Sequence, residues 1–210
     1  MQLTNEWYYF TGVLDGPTCE KIVQLWSRDS TEARVQRDKD ISREESGTGR
    51  KKNKGLDETL RKSDVIWLDK KWIYDLIAPY MRSANHEAGW QFEITNVEKA
   101  QLTRYEGGGF YTWHKDGQRD HLSAFSGAKS DALYGNVRKL SMGVLLNDDF
   151  EGGEFEFAHY EGGEFSVAKP EFEKPGSIIV FPSFMEHRVA PVTRGVRYSL
   201  VTWFLGPPFK

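Results

Sequence analysis

Hydrophobic positions along this chain change their period, and the changes divide it. After Asp15, residues Cys19, Ile22, Val23 and Trp26 recur at i, i+3, i+4 and i+7, and Pro17 suits an opening turn. A first amphipathic helix is predicted there. Ile73, Leu76, Ile77 and Tyr80 repeat the helical spacing, with Asp69 placed to cap a second helix. Just before it, SDVIWL (63–68) reads as a strand. Beyond Gly89 the texture turns to short β-type runs split by Gly, Asn and Asp: FEITNVEKAQLTRY, GFYTWH, LSMGVLL, GEFEFA, GEFSVA, GSIIVF and VRYSLVTWF. Such runs predict a mainly β sandwich or barrel with flanking helices packed outside. EGGEF occurs at 151–155 and 161–165. That spacing is too short for a repeat architecture and predicts two hairpin strands opened by similar turns.

One stretch breaks the pattern. Residues 28–63 hold 19 charged side chains in 36 positions, 11 basic and 8 acidic, with Gly47, Gly49 and Gly55 interspersed. Such a segment buries little and is expected to form a mobile charged loop at about 28–63. It reads as a lid over a site, as a basic patch (RKKNK, 50–54) for an acidic partner, or as a merely solvated loop.

Composition narrows the class. A chain of 210 residues suits a single domain over 1–210, long enough to bury a core without disulfides. Aromatics at 14%, seven of them Trp, fit a β core with ring-lined clefts. A net charge of −3 gives no electrostatic reason to expect nucleic acid or a membrane as partner. Cys19 is the one cysteine, which excludes an intrachain disulfide and a thiolate metal cluster. The start, MQLTNEWYYFTGVLDG, lacks the basic and apolar regions of a signal peptide, and no run approaches membrane-spanning length. A cytoplasmic protein is expected.

Candidate chemistry centres on two segments. In FYTWHKDGQ, strand alternation sends His114 and Asp116 to one side and Lys115 to the other. Alone, HxD is a weak signal that a surface polar pair also satisfies. In FPSFMEHRVAPVTRGVRYSLVTWF (181–204), His187 leads one strand and Arg197 the next, with a turn around Pro191 to Gly195 between them. Adjacent antiparallel strands are expected to set the two side by side. Two imidazoles and one carboxylate cover one face of an octahedron and leave three positions open. A 2-oxo acid fills two and dioxygen the third. The far carboxylate of a five-carbon diacid then needs a planar, permanently charged partner, which arginine supplies. His86, His121 and His159 are placed near a helix end and in loops, with His121 open to a role at a cleft mouth.

These residues together resemble the iron(II)/2-oxoglutarate dioxygenases of the prolyl 4-hydroxylase-like branch. The resemblance rests on RKSDVIWL (61–68), QLTRYEGGGFYTWHKD (101–116), RKLSMGVLLND (138–148), EGGEFEF (151–157) and KPGSIIVFPSFMEHRVAPVTRGVRYSLVTWF (174–204), and covers most of the chain from residue 61. It implies a double-stranded β-helix, a jelly-roll barrel with a metal near one open end. It implies Fe(2+) on His114, Asp116 and His187, and 2-oxoglutarate held by Arg197 through its C5 carboxylate. Tyr105 matches a tyrosine contacting 2-oxoglutarate, Trp203 an aromatic lining the pocket, and Ser141 is a candidate to face the co-substrate. Tyr105 and Trp203 also satisfy a plain core reading. The implied reaction couples decarboxylation of 2-oxoglutarate, with O2, to hydroxylation of an unactivated C–H bond, with ascorbate as a further reductant. A proline in a peptide or protein is the favoured substrate, and a free amino acid or other small molecule the alternative. Loops 28–63 and 117–137 are expected to decide between them. Two other classes compete. A metal-free jelly-roll binding module has no reason to keep both ligands and the arginine. A cupin-type enzyme wants three histidines and a glutamate, and no such cluster surrounds residue 114.

Overall fold

The computed structural model describes residues 5–29, 60–117, 123–126 and 133–209. The predicted lid or basic patch at 50–54, His121, and most of both long loops lie outside these residues. Thirteen strands fall among the described residues. They are β1 (Tyr8–Phe10), β2 (Arg61–Lys62), β3 (Asp64–Leu68), β4 (Asn96–Val97), β5 (Ala100–Glu106), β6 (Phe110–His114), β7 (Val137–Leu145), β8 (Phe150–Gly152), β9 (Phe155–Glu161), β10 (Glu164–Ala168), β11 (Ile178–Pro182), β12 (His187–Val189) and β13 (Val192–Gly206). The helices are α1 (Gly16–Val23), α2 (Leu25–Asp29) and α3 (Lys71–Glu87).

Two sheets carry the fold. The larger runs β1-β11-β7-β13-β5-β3, with β4 and β8 also on β13; the smaller runs β10-β9-β12-β6-β2. Every strand pairing is antiparallel. Side-chain alternation gives the larger sheet two different faces. Leu102 of β5, Leu140, Met142 and Val144 of β7, and Leu200 and Phe204 of β13 pack on Ile73, Ile77, Met81 and Ala84 of α3. Each fully buried aliphatic side chain contributes about 1.5–3 kcal/mol. Residues of the opposite parity face the smaller sheet, where Leu145, Ile179 and Phe181 meet Phe157. Apolar packing fills one part of that inter-sheet space, and polar side chains line another. This is the double-stranded β-helix architecture that the family resemblance implies, within the β sandwich or barrel expected from the strand spacing.

The helices follow the predicted apolar faces, with one change of cap. Asp15 caps α1 by accepting from Thr18 N at 2.9 Å. The cap position of α3 is Lys70, without a side-chain bond, and Asp69 instead stands 3.5 Å from the Tyr74 hydroxyl and 3.7 Å from Lys99. The EGGEF copies also differ. The second makes the β9–β10 hairpin, with Gly162 and Gly163 both at positive φ as a two-residue turn requires. In the first, Gly152 and Gly153 have positive φ too, but the chain leaves β8, paired to β13, and enters β9 in the other sheet. Identical turn residues set local dihedrals, and tertiary pairing decided which connection they make. No helix among the described residues is long and apolar enough to cross a membrane.

Candidate metal centre

His114 ends β6, and His187 opens β12 directly opposite it in the smaller sheet. Their rings lie 4.2 Å apart between centroids. Asp116 sits past the end of β6, where its backbone N–H donates to Ser183 O at 2.9 Å. That bond turns the chain back so that its carboxylate reaches both rings. Asp116 Oδ1 is 3.8 Å from His114 Nε2 and Oδ2 is 3.5 Å from His187 Nε2. One ligand atom from each of the three lies within 4.8 Å of the others.

The surroundings prepare these atoms. Nδ1 of His114 is 2.8 Å from Thr112 O, and Nδ1 of His187 is 2.9 Å from Met185 O. A carbonyl only accepts, so each Nδ1 carries its proton and each Nε2 presents a lone pair inward. Ser141 Oγ donates to Asp116 Oδ2 at 2.7 Å and also contacts Ser183 Oγ at 2.9 Å, which fixes the carboxylate. Burial first, and then the neighbouring His187, hold His114 well below the usual imidazole value, so its ring is neutral at pH 7. Burial raises Asp116, but His187, His114, Arg138 and the Ser141 bond outweigh it and keep the carboxyl ionised. Phe155, Phe157 and Phe181 crowd His187 and keep that side dry. Two imidazole nitrogen donors and one carboxylate suit a divalent transition metal.

Arg197 comes from the facing sheet. The sequence pattern predicted that the strands of His187 and Arg197 adjoin; they do not. β12 pairs with β6 and β9, whereas β13 pairs with β5 and β7. The chain crosses between sheets at Ala190–Pro191, so the two side chains share one interior from opposite walls. Arg197 is buried, and its Nε and Nη1 have no hydrogen-bond partner. The ring centroids of Tyr105 and Phe150 lie 5.6 Å and 6.0 Å from its guanidinium. Burial alone pushes its pKa down. A cavity of about 200 Å³ adjoins it, lined by Leu145, Phe150, Gly153 and Phe172 and also by the acidic Asp148, Glu154 and Glu173. A buried guanidinium with two unpartnered nitrogens, on the same inter-sheet interior as a metal-type donor set, fits a dicarboxylate co-substrate such as 2-oxoglutarate.

The other predicted site residues fall on the same interior. Tyr105 is the cross-strand partner of Arg197, and Trp203 that of Ser141. Trp203 shares Arg197's face of β13 by alternation. Ser141 bonds to Asp116. His159 is not in a loop but in β9, where it is half-exposed near Glu6 and Glu161; its flanks, EFEFA and YEGG, read equally as strand or turn. His86 lies in the last turn of α3. Neither joins the triad. Sequence reasoning missed Gln101, Arg61 and Arg138. Gln101 was open to detection, since Gln101, Thr103 and Tyr105 alternate along β5, but a lone arginine at a strand edge carries no such signal.

Comparison with known proteins agrees with this geometry. Residues 100–205, half of the chain, match the 2OG-Fe(II) oxygenase superfamily. A PKHD-type hydroxylase of Stenotrophomonas maltophilia is 34% identical over 105 residues, covering 49% of this chain and 41% of that protein. One of Idiomarina loihiensis is 31% identical over 107 residues, covering 51% and 42%. The matched segment thus spans about two-fifths of these relatives' length. A Pseudomonas putida prolyl-4-hydroxylase superposes with TM-score 0.62 at 19% identity, covering 96% of this chain and 92% of that one. A viral collagen prolyl hydroxylase from Paramecium Bursaria Chlorella virus-1, in a 2OG complex, gives 0.62 at 20%, covering 97% of both. At such identities the structures establish the shared fold. On the family match, the chain belongs to the 2OG-Fe(II) oxygenase superfamily.

Proposed function

We propose that this protein is an iron(II)- and 2-oxoglutarate-dependent dioxygenase that hydroxylates an unactivated C–H bond, with a proline in a peptide or protein as substrate. One domain supplies the site. His114, Asp116 and His187 hold the iron through Nε2, a carboxylate oxygen and Nε2. Arg197 takes the C5 carboxylate of 2-oxoglutarate, with Tyr105 beside it. An iron held by these three residues would supply the oxidising chemistry, with 2-oxoglutarate and dioxygen as co-substrates. The chain's own contribution is positional. Thr112 O and Met185 O fix the ring tautomers, Ser141 fixes the carboxylate, and the phenylalanines exclude water. No side chain is needed as nucleophile or general base.

The observation that carries the reading is the conjunction of a three-donor set with a buried arginine on the facing wall, two of whose nitrogens have no hydrogen-bond partner. Burying an unpaired cation is costly, and a site that keeps one is built for an anion. The proline assignment rests on the fold, which is shared with prolyl hydroxylases; a Trichoplax adhaerens prolyl hydroxylase of that fold was solved with a peptide fragment.

The test supplies iron(II), ascorbate and 2-oxoglutarate and follows succinate. Wild type forms succinate and His114→Ala does not. Mass spectrometry of proline-rich peptides then shows a gain of one oxygen on proline. Succinate without any modified peptide, together with an oxygenated free amino acid, moves the substrate to the small-molecule class. No succinate from wild type sinks the enzyme reading.

A further inference from the structure

Two more donors on the inter-sheet interior have no partner. Gln101 is 3% exposed and Trp203 6%, and Nε2 of the first and Nε1 of the second make no hydrogen bond among the described residues. The orientation of the Gln101 amide is determined. Its Oε1 accepts from Arg61 Nη2 at 3.1 Å and from Thr103 Oγ1 at 3.3 Å, which leaves the NH2 facing away from both. Arg61 is itself held by Ser63 Oγ at 2.7 Å and lies 4.7 Å from the Tyr111 ring. Tyr111 in turn stacks on His114 at 3.4 Å.

The register places the two donors together. Gln101 pairs across β5 with Trp67 of β3 on one side and Val201 of β13 on the other. Trp203 is two residues beyond Val201 and therefore diagonal to Gln101 on the same face. The rings of Trp67, the cross-strand partner of Gln101, and of Trp203, its diagonal neighbour, are 6.1 Å apart. Trp203 also pairs with Ser141, whose hydroxyl holds Asp116. The donor pair is thus connected to the triad through Ser141 on one side and through Arg61 and Tyr111 on the other.

This corner lies away from the co-substrate's anchor. Along an extended strand, the six residues from Arg197 to Trp203 span about 20 Å. Gln101 and Trp203 lie instead at the Ser141 end of the interior, where Ser141 holds Asp116 and is the cross-strand partner of Trp203. The local charge is neutral to positive. Arg138 stacks over Trp203 at 4.0 Å and is itself neutralised by Glu98, at 2.7 Å from its Nη2. Two N–H donors with no acceptor beside them call for an oxygen that brings lone pairs, and the flanking indoles call for an apolar ring next to it.

We propose that Gln101 Nε2 and Trp203 Nε1 form a two-donor subsite for the substrate being hydroxylated, receiving its carbonyl or carboxylate oxygen while an apolar ring lies against Trp203 and Trp67. The proposal rests on the oxygenase reading above and adds the recognition chemistry of its substrate. It gives Trp203 a polar role beyond lining the pocket, and gives Gln101 a role in specificity.

The experiment uses ¹⁵N-labelled protein loaded with zinc(II) and 2-oxoglutarate, titrated with N-acetyl-L-proline N-methylamide or with free L-proline. Trp203→Phe and Gln101→Met identify the indole N–H and side-chain NH2 signals, and each keeps the bulk of its residue. The capped proline is expected to move both signals downfield, and each substitution to weaken its binding about tenfold, the loss of one buried hydrogen bond. A stronger response to free L-proline identifies the acceptor as a free carboxylate and keeps the subsite. If 2-oxoglutarate alone moves both signals, or the substitutions weaken 2-oxoglutarate as much as the capped proline, the donors serve the co-substrate and the proposal is overturned. It is also overturned if neither compound moves either signal. The succinate assay on iron-loaded wild type separates the two failures: succinate with unmoved signals removes the subsite alone, and absent succinate removes the oxygenase reading.

Discussion

Arg197→Met should make the ligand-free protein more stable while removing most of its response to 2-oxoglutarate. In the ligand-free state the guanidinium is 2% exposed and two of its nitrogens are unpaired. Each unmade hydrogen bond from a buried polar group costs about 1–3 kcal/mol, and a charged group sits at the upper end. The rings at 5.6 and 6.0 Å return little, since cation–π attraction is weak at that range. Methionine fills similar space without the charge. Allowing for imperfect repacking, the net gain is about 2–3 kcal/mol. For a chain of this length that corresponds to a rise in midpoint of about 5–10 °C. With metal and 2-oxoglutarate at a hundred times the dissociation constant, wild type gains about 2.7 kcal/mol. The variant gains at most about 0.4 kcal/mol from the acid at that concentration, because the two charge-assisted bonds that held it are gone. Those bonds are worth about 1.5–3 kcal/mol each, so the KM for 2-oxoglutarate rises on the order of a hundredfold or more. Scanning calorimetry of both proteins, with and without manganese(II) and 2-oxoglutarate, reads all four states. A variant less stable than wild type without ligand, or stabilised by the acid as much as wild type, refutes the argument.

Three further outcomes are expected. Ser141→Ala removes the 2.7 Å bond to Asp116 Oδ2 and should lower iron(II) affinity about tenfold in a chelator competition, with an unchanged affinity counting against the positioning role. Gly153→Ala puts a Cβ 2.9 Å from Arg197 Cδ and Val192 Cγ2 at a φ of +69°. It should raise the KM for 2-oxoglutarate about tenfold, whereas Gly163→Ala, at φ +86° with nothing within 4 Å, incurs the same backbone strain of about 1–2 kcal/mol and leaves the KM alone. The third outcome concerns pH. Burial lowers His114 below its ordinary 6.5, so above that pH neither the folded nor the unfolded chain holds this proton. Below it, the unfolded chain takes up the proton and the folded one does not. Metal-free protein should therefore lose about 1.4 kcal/mol per pH unit through this residue as pH falls from 6.5. Urea midpoints measured at pH 7.5 and 5.5 should show that slope in wild type and a shallower one in His114→Asn. Equal slopes contradict the buried neutral ring.

The sequence alone determined whatever depends on local period and residue type. Alternation in LSMGVLL and VRYSLVTWF marked one face apolar, and that face packs on α3. The helical spacing of Ile73 and Ile77 named the surface it meets. The donors His114, Asp116 and His187, with Arg197, could be chosen because metal and carboxylate chemistry admits few side chains. Tertiary structure decided what joins residues distant in the chain. His187 lies 71 positions after Asp116, and no local pattern fixes that β12 sits beside β6 rather than beside β13. The turn at Pro191 to Gly195 looks like a hairpin connection in sequence. The chain crosses sheets there because β5 and β7 already occupy both sides of β13 along Ser199–Val201, so β12 finds its hydrogen-bond partners in the other sheet. The bond from Ser141 to Asp116 and the Arg61–Gln101 contact come from such long-range pairing as well. So do the unpartnered donors of Arg197, Gln101 and Trp203, because a hydrogen bond left unmade becomes visible only when every neighbour is in place.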